Sequence, residues 1–560
     1  MTASPYLVLL ETSGNQNFIF STNKLKENIG ASELTYRAGT RWVLDAVADI
    51  NDTPELRQWA NSEDLRGILR NQNPPNLNPP LEQGHKPLEI IIATSGKALI
   101  LARTEDDAKS LIRQVTQRAI AEAPGLNLSG VFVQIQDWDQ TNSLDDAIRQ
   151  VHKTFEETQP YRPTAEARFL RLPIIADCSF SGLPASHLER TPDNDQVPIS
   201  QVSASKREAA SRGLSRLHKI APNLIRDINK LEKKFDSEEI PWLAIVHADG
   251  NGLGQIFLNF AECLENQQSN RDYIEAYREF SLELDECTEA AFREAVKSVF
   301  DDFDDAIPLV PLIIGGDDLT VVCDGKKALK FTQVFLKQFE AETEQKSYIP
   351  EIAQSQFQAN RLSACAGIAI IKRHFPFSVA YELAESLIKS AKSVKQTVTK
   401  PNSKPKTPFP CSAIDFHILY DSTQIDFDRI RRNLQPETTT YLYNRPYVVT
   451  ELDKLDSAQG KDWASQHHWN RLCDRVNHLK SDDEGDSAKL PSSQAHALRT
   501  ALFLGRDAAN AQYALIQQRY PLKPFAEDDD KTSLFYQTQE KDEIRFHTTF
   551  LDALDAKDFF

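Results

Sequence analysis

The chain has no C-x-x-C pair. Its seven cysteines, Cys178, Cys263, Cys287, Cys323, Cys365, Cys411 and Cys473, stand apart. That gives no basis for a zinc ribbon, and scattered thiols fit a reducing compartment. There is no G-x-x-x-x-G-K-[ST] loop, so a Walker-type phosphate cradle is missing. None of the twelve histidines is followed by an aspartate, which removes the His-Asp signature of metal phosphohydrolases. No apolar run approaches the roughly 18 residues of a membrane-spanning helix. The start, Met1-Thr2-Ala3-Ser4-Pro5, lacks the basic region and long apolar stretch of a secretory leader. Positive charge is in deficit as well, with a net charge of −17. That argues against coating duplex DNA by charge alone, though not against a local basic groove. A soluble, cytoplasmic protein without a membrane partner is the expectation. At ordinary domain sizes 560 residues make about three or four domains.

What is present is a repeated pattern. Residues 6–10 form a short apolar strand ending at Ser13-Gly14-Asn15, a turn signal. Residues 90–93 and 98–101 flank Thr94-Ser95-Gly96-Lys97 and predict a β-hairpin. Residues 106–121 then predict a helix and 130–135 a strand. The same order recurs 220 to 236 residues later. A strand over 243–246 ends in Asp249-Gly250-Asn251, and a long helix covers 273–300. Its apolar residues Phe280, Leu284, Cys287, Ala291 and Val296 fall mostly on one face. A second hairpin has Gly315-Gly316-Asp317-Asp318 at its tip, followed by a helix over 326–343, a strand over 362–371 and a helix over 378–392. Ser13-Gly14-Asn15 can be laid on Asp249-Gly250-Asn251, and Ser95-Gly96-Lys97-Ala98 on Gly315 to Asp318. This suggests a duplicated β-α-β-β-α-β unit, the split βαβ pattern. Beyond about residue 425 helical spacing dominates. His467-His468 reads as a solvated pair.

The second hairpin carries the chemistry. Its glycines permit a tight turn and close approach of a phosphate. Two adjacent carboxylates repel each other in a dry site, and a divalent cation relieves that cost. Mg²⁺ prefers such hard oxygens together with phosphate. An ordinary acidic turn could carry the same four residues; Asp249 is what separates the readings. In a split βαβ unit its strand lies beside the hairpin, so three carboxylates could hold two ions about 4 Å apart. The backbone carbonyl of Gly250 is a further candidate ligand. Lys392, on the helix after the strand that holds Ser363 and Gly367, could reach a triphosphate as a point charge. Lys389 and Lys395 beside it leave a solvated helix face as the alternative. The first copy lacks this chemistry: Ser13 stands for the strand-end aspartate, and Lys97 and Ala98 for the paired carboxylates. Its role is expected to be structural, or to supply one face of a nucleotide pocket. Asn15, Gln16 and Asn17 could bond a base or phosphate, or only their own turn.

Several stretches together resemble the large polymerase-cyclase subunit of type III CRISPR effector complexes, a family with two palm domains and a Gly-Gly-Asp-Asp hairpin in the second. They are residues 11–20; residues 24–39 with Gly30-Ala31-Ser32-Glu33-Leu34; residues 248–254; 313–318; 363–367; Ala391-Lys392; residues 413–417; and Arg445-Pro446-Tyr447. The resemblance implies an α+β fold: two ferredoxin-like palms of the nucleotide-cyclase/polymerase type, a helical linker and a helical C-terminal domain. The divisions are a degenerate palm over 1–158, a linker over 159–236, the catalytic palm over 237–425 and a C-terminal domain over 426–560. It further implies joining ATP into cyclic oligoadenylates through 3′-5′ linkages with release of pyrophosphate, in antiviral defence. Asp249, Asp317 and Asp318, with the Gly250 carbonyl, would hold Mg²⁺ or Mn²⁺. Lys392 would contact the triphosphate, and Gly250, Asn251, Gly315, Gly316 and Ser363 would line the nucleotide. Guide or target RNA and other CRISPR effector subunits are the implied partners.

Three departures qualify this picture. The chain begins at the first palm, so the family's HD nuclease and its DNase activity are not expected. The zinc-binding cysteine cluster is missing. Asn251 stands where many relatives have a second aspartate. Two other readings remain: a catalytically silent scaffold that binds RNA and small subunits, and a diguanylate-cyclase-like enzyme that uses GTP.

Overall fold

The computed structural model describes residues 4–71, 76–163, 166–190, 194–264, 269–301, 307–401, 403, 407–420, 426–480, 490–520, 522–528, 530–540 and 543–560. The first palm opens with β1 (Tyr6–Ser13), α1 (Asn15–Phe20), α2 (Leu25–Gly39), α3 (Arg41–Ile50) and α4 (Ser62–Leu69). It continues with β2 (Leu88–Thr94), β3 (Lys97–Ala102), α5 (Glu105–Glu122), β4 (Asn127–Gln134) and α6 (Ser143–Thr158). The sheet order β2-β3-β1-β4 is that of a split βαβ unit. Leu7 to Leu10 on its central strand are fully buried, as a run covered on both faces must be. Thr104 starts α5 with a capping box to Asp107, which satisfies two otherwise unpaired donors.

Between the palms lie the hairpin β5 (Ala185–Arg190) and β6 (Gln196–Ser200), then α7 (Gln201–Ile220) and α8 (Ile228–Phe235). Helix α7 is laid against α2 of the first palm. A Cβ on Gly30 would fall 1.6 Å from the Lys206 carbonyl oxygen, so only glycine allows this approach. Arg207 pairs with Glu27, and Arg216 with Glu33 at 2.8 Å. Part of the expected linker therefore packs as a layer of the first palm.

The second palm comprises β7 (Trp242–Gly250), α9 (Leu253–Leu258), α10 (Asn270–Val299), β8 (Leu309–Gly315), β9 (Asp318–Asp324) and α11 (Gly325–Glu344). Next come α12 (Ile349–Phe357), β10 (Ala364–Lys372), α13 (Phe377–Ala391), α14 (Val394–Thr397) and β11 (Ala413–Ile418). Its strands β10-β7-β9-β8 repeat the order of the first palm, and β11 adds a parallel strand beside β10. The C-terminal part contains α15 (Phe427–Asn433), β12 (Thr440–Tyr441), β13 (Tyr447–Val448), α16 (Lys461–Gln466), α17 (Trp469–Lys480), α18 (Ser492–Phe503) and α19 (Arg506–Gln517). It ends with β14 (Tyr536–Glu540), β15 (Glu543–His547) and α20 (Phe550–Ala556). It is not wholly helical. Strand β13 joins the sheet of the second palm, and β12-β15-β14 form a small sheet of their own. Two of these strands are two residues long and β15 is half exposed, so no apolar alternation announces them. His467 and His468 are buried rather than solvated, facing the backbone carbonyls of Asn444 and Thr450. One continuous apolar core runs from the first palm through the second into the C-terminal part.

The repeat is real, but its register differs from the alignment read off the sequence. Gly14 and Gly252 both adopt the left-handed conformation directly before α1 and α9. The turn closures Thr94↔Lys97 and Gly315↔Asp318 correspond as well. Glu11, opposite Lys97, therefore occupies the place of Asp249, not Ser13. Gly96 and Lys97, not Lys97 and Ala98, occupy the places of Asp317 and Asp318.

The palms face each other through helices from both. Phe20 stacks on Tyr381 of α13 with ring centroids 4.1 Å apart, and the Phe377 amide donates to Asn23 Oδ1 at 3.0 Å. On the other side Asn270 of α10 donates to the Trp138 carbonyl at 2.6 Å, and Tyr273 donates to Asp145 at 3.1 Å.

Candidate functional site

Strand β7 delivers Asp249 at its carboxyl end, and the β8–β9 turn delivers Asp317 and Asp318. One carboxylate oxygen from each lies within 4.8 Å of the others, and all three residues are half-buried. Gly250 makes room for this. A Cβ there would lie 2.8 Å from Asp317 Oδ2. Gly315 and Gly316 take φ values of 149° and 60°, which side chains rarely adopt, and so close the turn.

Crowding shows in the electrostatics. Burial, then the charge of Asp249, pushes the Asp317 carboxyl up to about 7. Burial, then the charges of Asp317 and Asp249, raises Asp318 as well. Lys392, capping the end of α13, pulls both back. Its Nζ donates to Asp249 Oδ2 and, at 3.3 Å, to the Gly250 carbonyl. Three mutually repelling oxygen donors beside a backbone carbonyl suit a hard divalent ion such as Mg²⁺ or Mn²⁺ and not a soft one. Asp249, Asp317, Asp318 and the Gly250 carbonyl would hold it. Lys395, half-buried near Lys392, has its ammonium pKa lowered by burial and by that neighbour.

Asn251 and Ser363 reach the site differently. Asn251 is buried, and its Nδ2 donates to Ser363 Oγ at 3.1 Å, Cys365 Sγ at 3.2 Å and the Cys411 carbonyl at 3.1 Å. Ser363 Oγ also accepts from the Cys411 amide at 3.0 Å. Both side chains thus brace the end of β7 against β10 and the approach to β11, and Asn251 Oδ1 is left buried without a partner among the described residues.

Sequence reasoning missed Asp285 and Thr288 of α10. Asp285 Oδ1 accepts from the Gly316 amide at 3.1 Å, and Thr288 Oγ1 donates to the Gly316 carbonyl. Their spacing of three residues on a long helix was the only available signal. A cavity of about 340 Å³ lies behind the turn, lined by Tyr36, Arg37, Arg66 and Ser95 of the first palm and by Asp285 and Gly315 of the second.

In the first palm the corresponding place holds an ion pair. Lys97 Nζ lies 3.5 Å from Glu11, and Ser13 Oγ bonds Gln159 at 3.4 Å.

Residues 242–399 match the family model described as Cas10/Cmr2, second palm domain. This segment is similar to the second palm of Cas10/Cmr2 proteins. The resemblance read from the sequence is borne out there, and the double-palm α+β architecture with it. No curated protein matches the chain. Among solved structures, a chain of the Csm1-Csm4 cassette in complex with pppApA is 12% identical with a TM-score of 0.42, over 72% of this chain and 55% of that one. A chain of the same cassette in complex with AMPPNP is 11% identical, TM-score 0.46, over 94% of this chain and 65% of that one. A chain of the type III-B Cmr-beta complex in the apo state is 10% identical, TM-score 0.47, over 97% and 79%. The chain thus spans little more than half the length of the first of these. Among the described residues, no helix is long and apolar enough to cross a membrane.

Proposed function

We propose that the Cas10-type palm catalyses metal-dependent nucleotidyl transfer, joining ATP into cyclic oligoadenylates as a signal in CRISPR-linked antiviral defence. The observation that carries this reading is the carboxylate triad with Lys392 already at its edge. In each step a 3′-oxygen attacks an α-phosphorus, the bond to pyrophosphate breaks, and the hydroxyl proton is lost. Bound Mg²⁺ or Mn²⁺ would lower the pKa of that hydroxyl and neutralise charge on the leaving pyrophosphate. Lys392 is placed to exchange Asp249 for a phosphate oxygen once the carboxylate has another cation to face. Gly315 and Gly316 present no side chain to a ribose and phosphates passing over the turn. The cavity behind them has room for a base, with the Asp285 carboxylate as an acceptor for its N–H groups. Both adenine and guanine offer such donors, so competition between ATP and GTP decides the base.

In this reading the chain works beside other CRISPR effector subunits and RNA. The test is incubation with ATP and Mg²⁺ or Mn²⁺, with and without cognate target RNA, followed by mass spectrometry. A cyclic oligoadenylate from the wild type, absent from Asp317→Ala/Asp318→Ala, supports the reading. No product under any condition, with ATP still bound, would leave a silent scaffold.

A further inference from the structure

The metal turn is gripped from outside its own sheet. Gly316 directly precedes Asp317, and its two flanking peptide planes aim that carboxylate. A glycine at φ 60° resists rotation weakly, so this aim needs external support. Helix α10 supplies it on both planes: Asp285 accepts the Gly316 N–H, and Thr288 donates to the Gly316 carbonyl. Asp285 is itself not free to hold still. Glu289 lies one helical turn on, and two carboxylates at that spacing repel.

Arg66, on α4 of the first palm, resolves the repulsion. It is buried, donates to Asp285 Oδ2 at 2.7 Å through one terminal nitrogen, and to Glu289 Oε2 at 3.1 Å through the other. Ser62, also on α4, donates to the same Glu289 oxygen at 3.0 Å. The tip of the first palm's hairpin closes the arrangement: a Cβ on Gly315 would lie 3.2 Å from Asp285 Oδ1 and 3.8 Å from Ser95 Cβ.

We infer that Arg66 is a positioning residue: through Asp285 it fixes the Gly316 turn, and so the first palm, which lacks a carboxylate triad, sets the geometry of the metal site in the second. The inference rests on the proposed metal chemistry, but its test has readouts that do not need turnover. Arg70 provides the control. It crosses the same α4–α10 interface, bonding Glu279 at 2.8 Å and Glu286 at 2.5 Å, yet touches neither Asp285 nor the turn.

The experiment compares wild type, Arg66→Ala, Arg66→Lys, Arg70→Ala and Thr288→Val in the full chain. Mn²⁺ affinity is read by electron paramagnetic resonance and exchange of the Gly316 amide by hydrogen–deuterium mass spectrometry. Arg66→Ala should weaken Mn²⁺ roughly 10- to 100-fold, as loss of a partner that orients a ligand does, and speed exchange at Gly316. Arg66→Lys should recover part of both. Arg70→Ala should stay within about twofold of wild type, on the same scale of orienting effects. If Arg66→Ala does not fold, Thr288→Val, which removes only a hydroxyl donor to the Gly316 carbonyl, should loosen the same amide. Wild-type Mn²⁺ affinity in Arg66→Ala, or equal damage from Arg70→Ala, overturns the inference. If the wild type makes no oligonucleotide while these differences hold, the clamp stands and the proposed function falls. If it makes product and they do not hold, the reverse follows.

Discussion

The two hairpin tips are one structure with opposite electrostatics. At the place of Asp249 the first palm keeps a carboxylate, Glu11; at the place of Asp318 it has Lys97, and at the place of Asp317 the side-chain-free Gly96. A single ammonium answers the one carboxylate left, at 3.5 Å. In the second palm three carboxylates converge, and of these Lys392 bonds Asp249. The first site carries its cation covalently and has no use for a bound one. The second is short of positive charge. Charge balance, not backbone shape, is what separates the two tips.

The largest effect expected is on the acidic turn. Asp317→Ala/Asp318→Ala should lower product formation roughly 10³-fold or more, since several kcal/mol of charge stabilisation is lost at about 1.4 kcal/mol per decade. The variant should remain folded by circular dichroism and melt at or above the wild-type temperature in EDTA, because mutual repulsion has been removed. A melt well below wild type would mean the triad is structural.

Next comes Asn251, which corresponds to Ser13 in the first palm. Its Nδ2, with two hydrogens, lies within bonding distance of three acceptors, while its Oδ1 is buried without a partner among the described residues. Asn251→Asp buries a carboxylate against a hydroxyl, a thiol and a carbonyl, and should cost about 1–3 kcal/mol of stability. Chemical denaturation measures this. A stability equal to wild type would mean that Asn251 stands in for an aspartate ligand after all.

The third expectation concerns pH. Asp317 is raised from 3.8 to about 7, so the metal-free folded chain holds this proton more tightly than the unfolded chain. Its contribution to stability is present below pH 4 and is lost as pH rises through about 7. Metal must displace this proton and the one held by Asp318, whose carboxyl is raised too, so Mn²⁺ affinity should climb with pH by more than the roughly tenfold per unit of a single proton below 7, and less steeply above it. Titration calorimetry in buffers of different ionisation enthalpy reads the released protons directly. The first palm, with no such crowd of acids, should add no second step.

Much of this was legible because it is local. Asp249, Asp317 and Asp318 sit at strand ends marked by apolar runs and glycines, and two strands side by side bring them together. The repeat was legible too, but not its register. A Ser-Gly-Asn and an Asp-Gly-Asn look alike in sequence, whereas the left-handed glycines align Gly14 with Gly252. The resemblance puts Asn251 and Ser363 at the nucleotide; the structure buries both and bonds one to the other. Arg66 and Asp285 are 219 residues apart and belong to no motif, so only packing of the two palms could bring them together. The small C-terminal sheet escaped because its strands are too short or too exposed to show a period of two.

The smallest effect expected lies at the first palm's own ion pair, and it sharpens the comparison most. Glu11 and Lys97 are each about 30% exposed, so water and salt screen their attraction. Lys97→Ala should therefore cost less than about 1 kcal/mol, read as a small shift in the melting curve. Lys97→Asp is the more telling change. It sets two carboxylates across one hairpin and gives the first palm the beginnings of the second palm's charge. Its melting temperature should fall in EDTA and recover with Mn²⁺ by more than the wild type gains. Equal gains in both would mean that charge is not what distinguishes the palms, and that the backbone of the first turn, with Gly96 where Asp317 would stand, already forbids an ion.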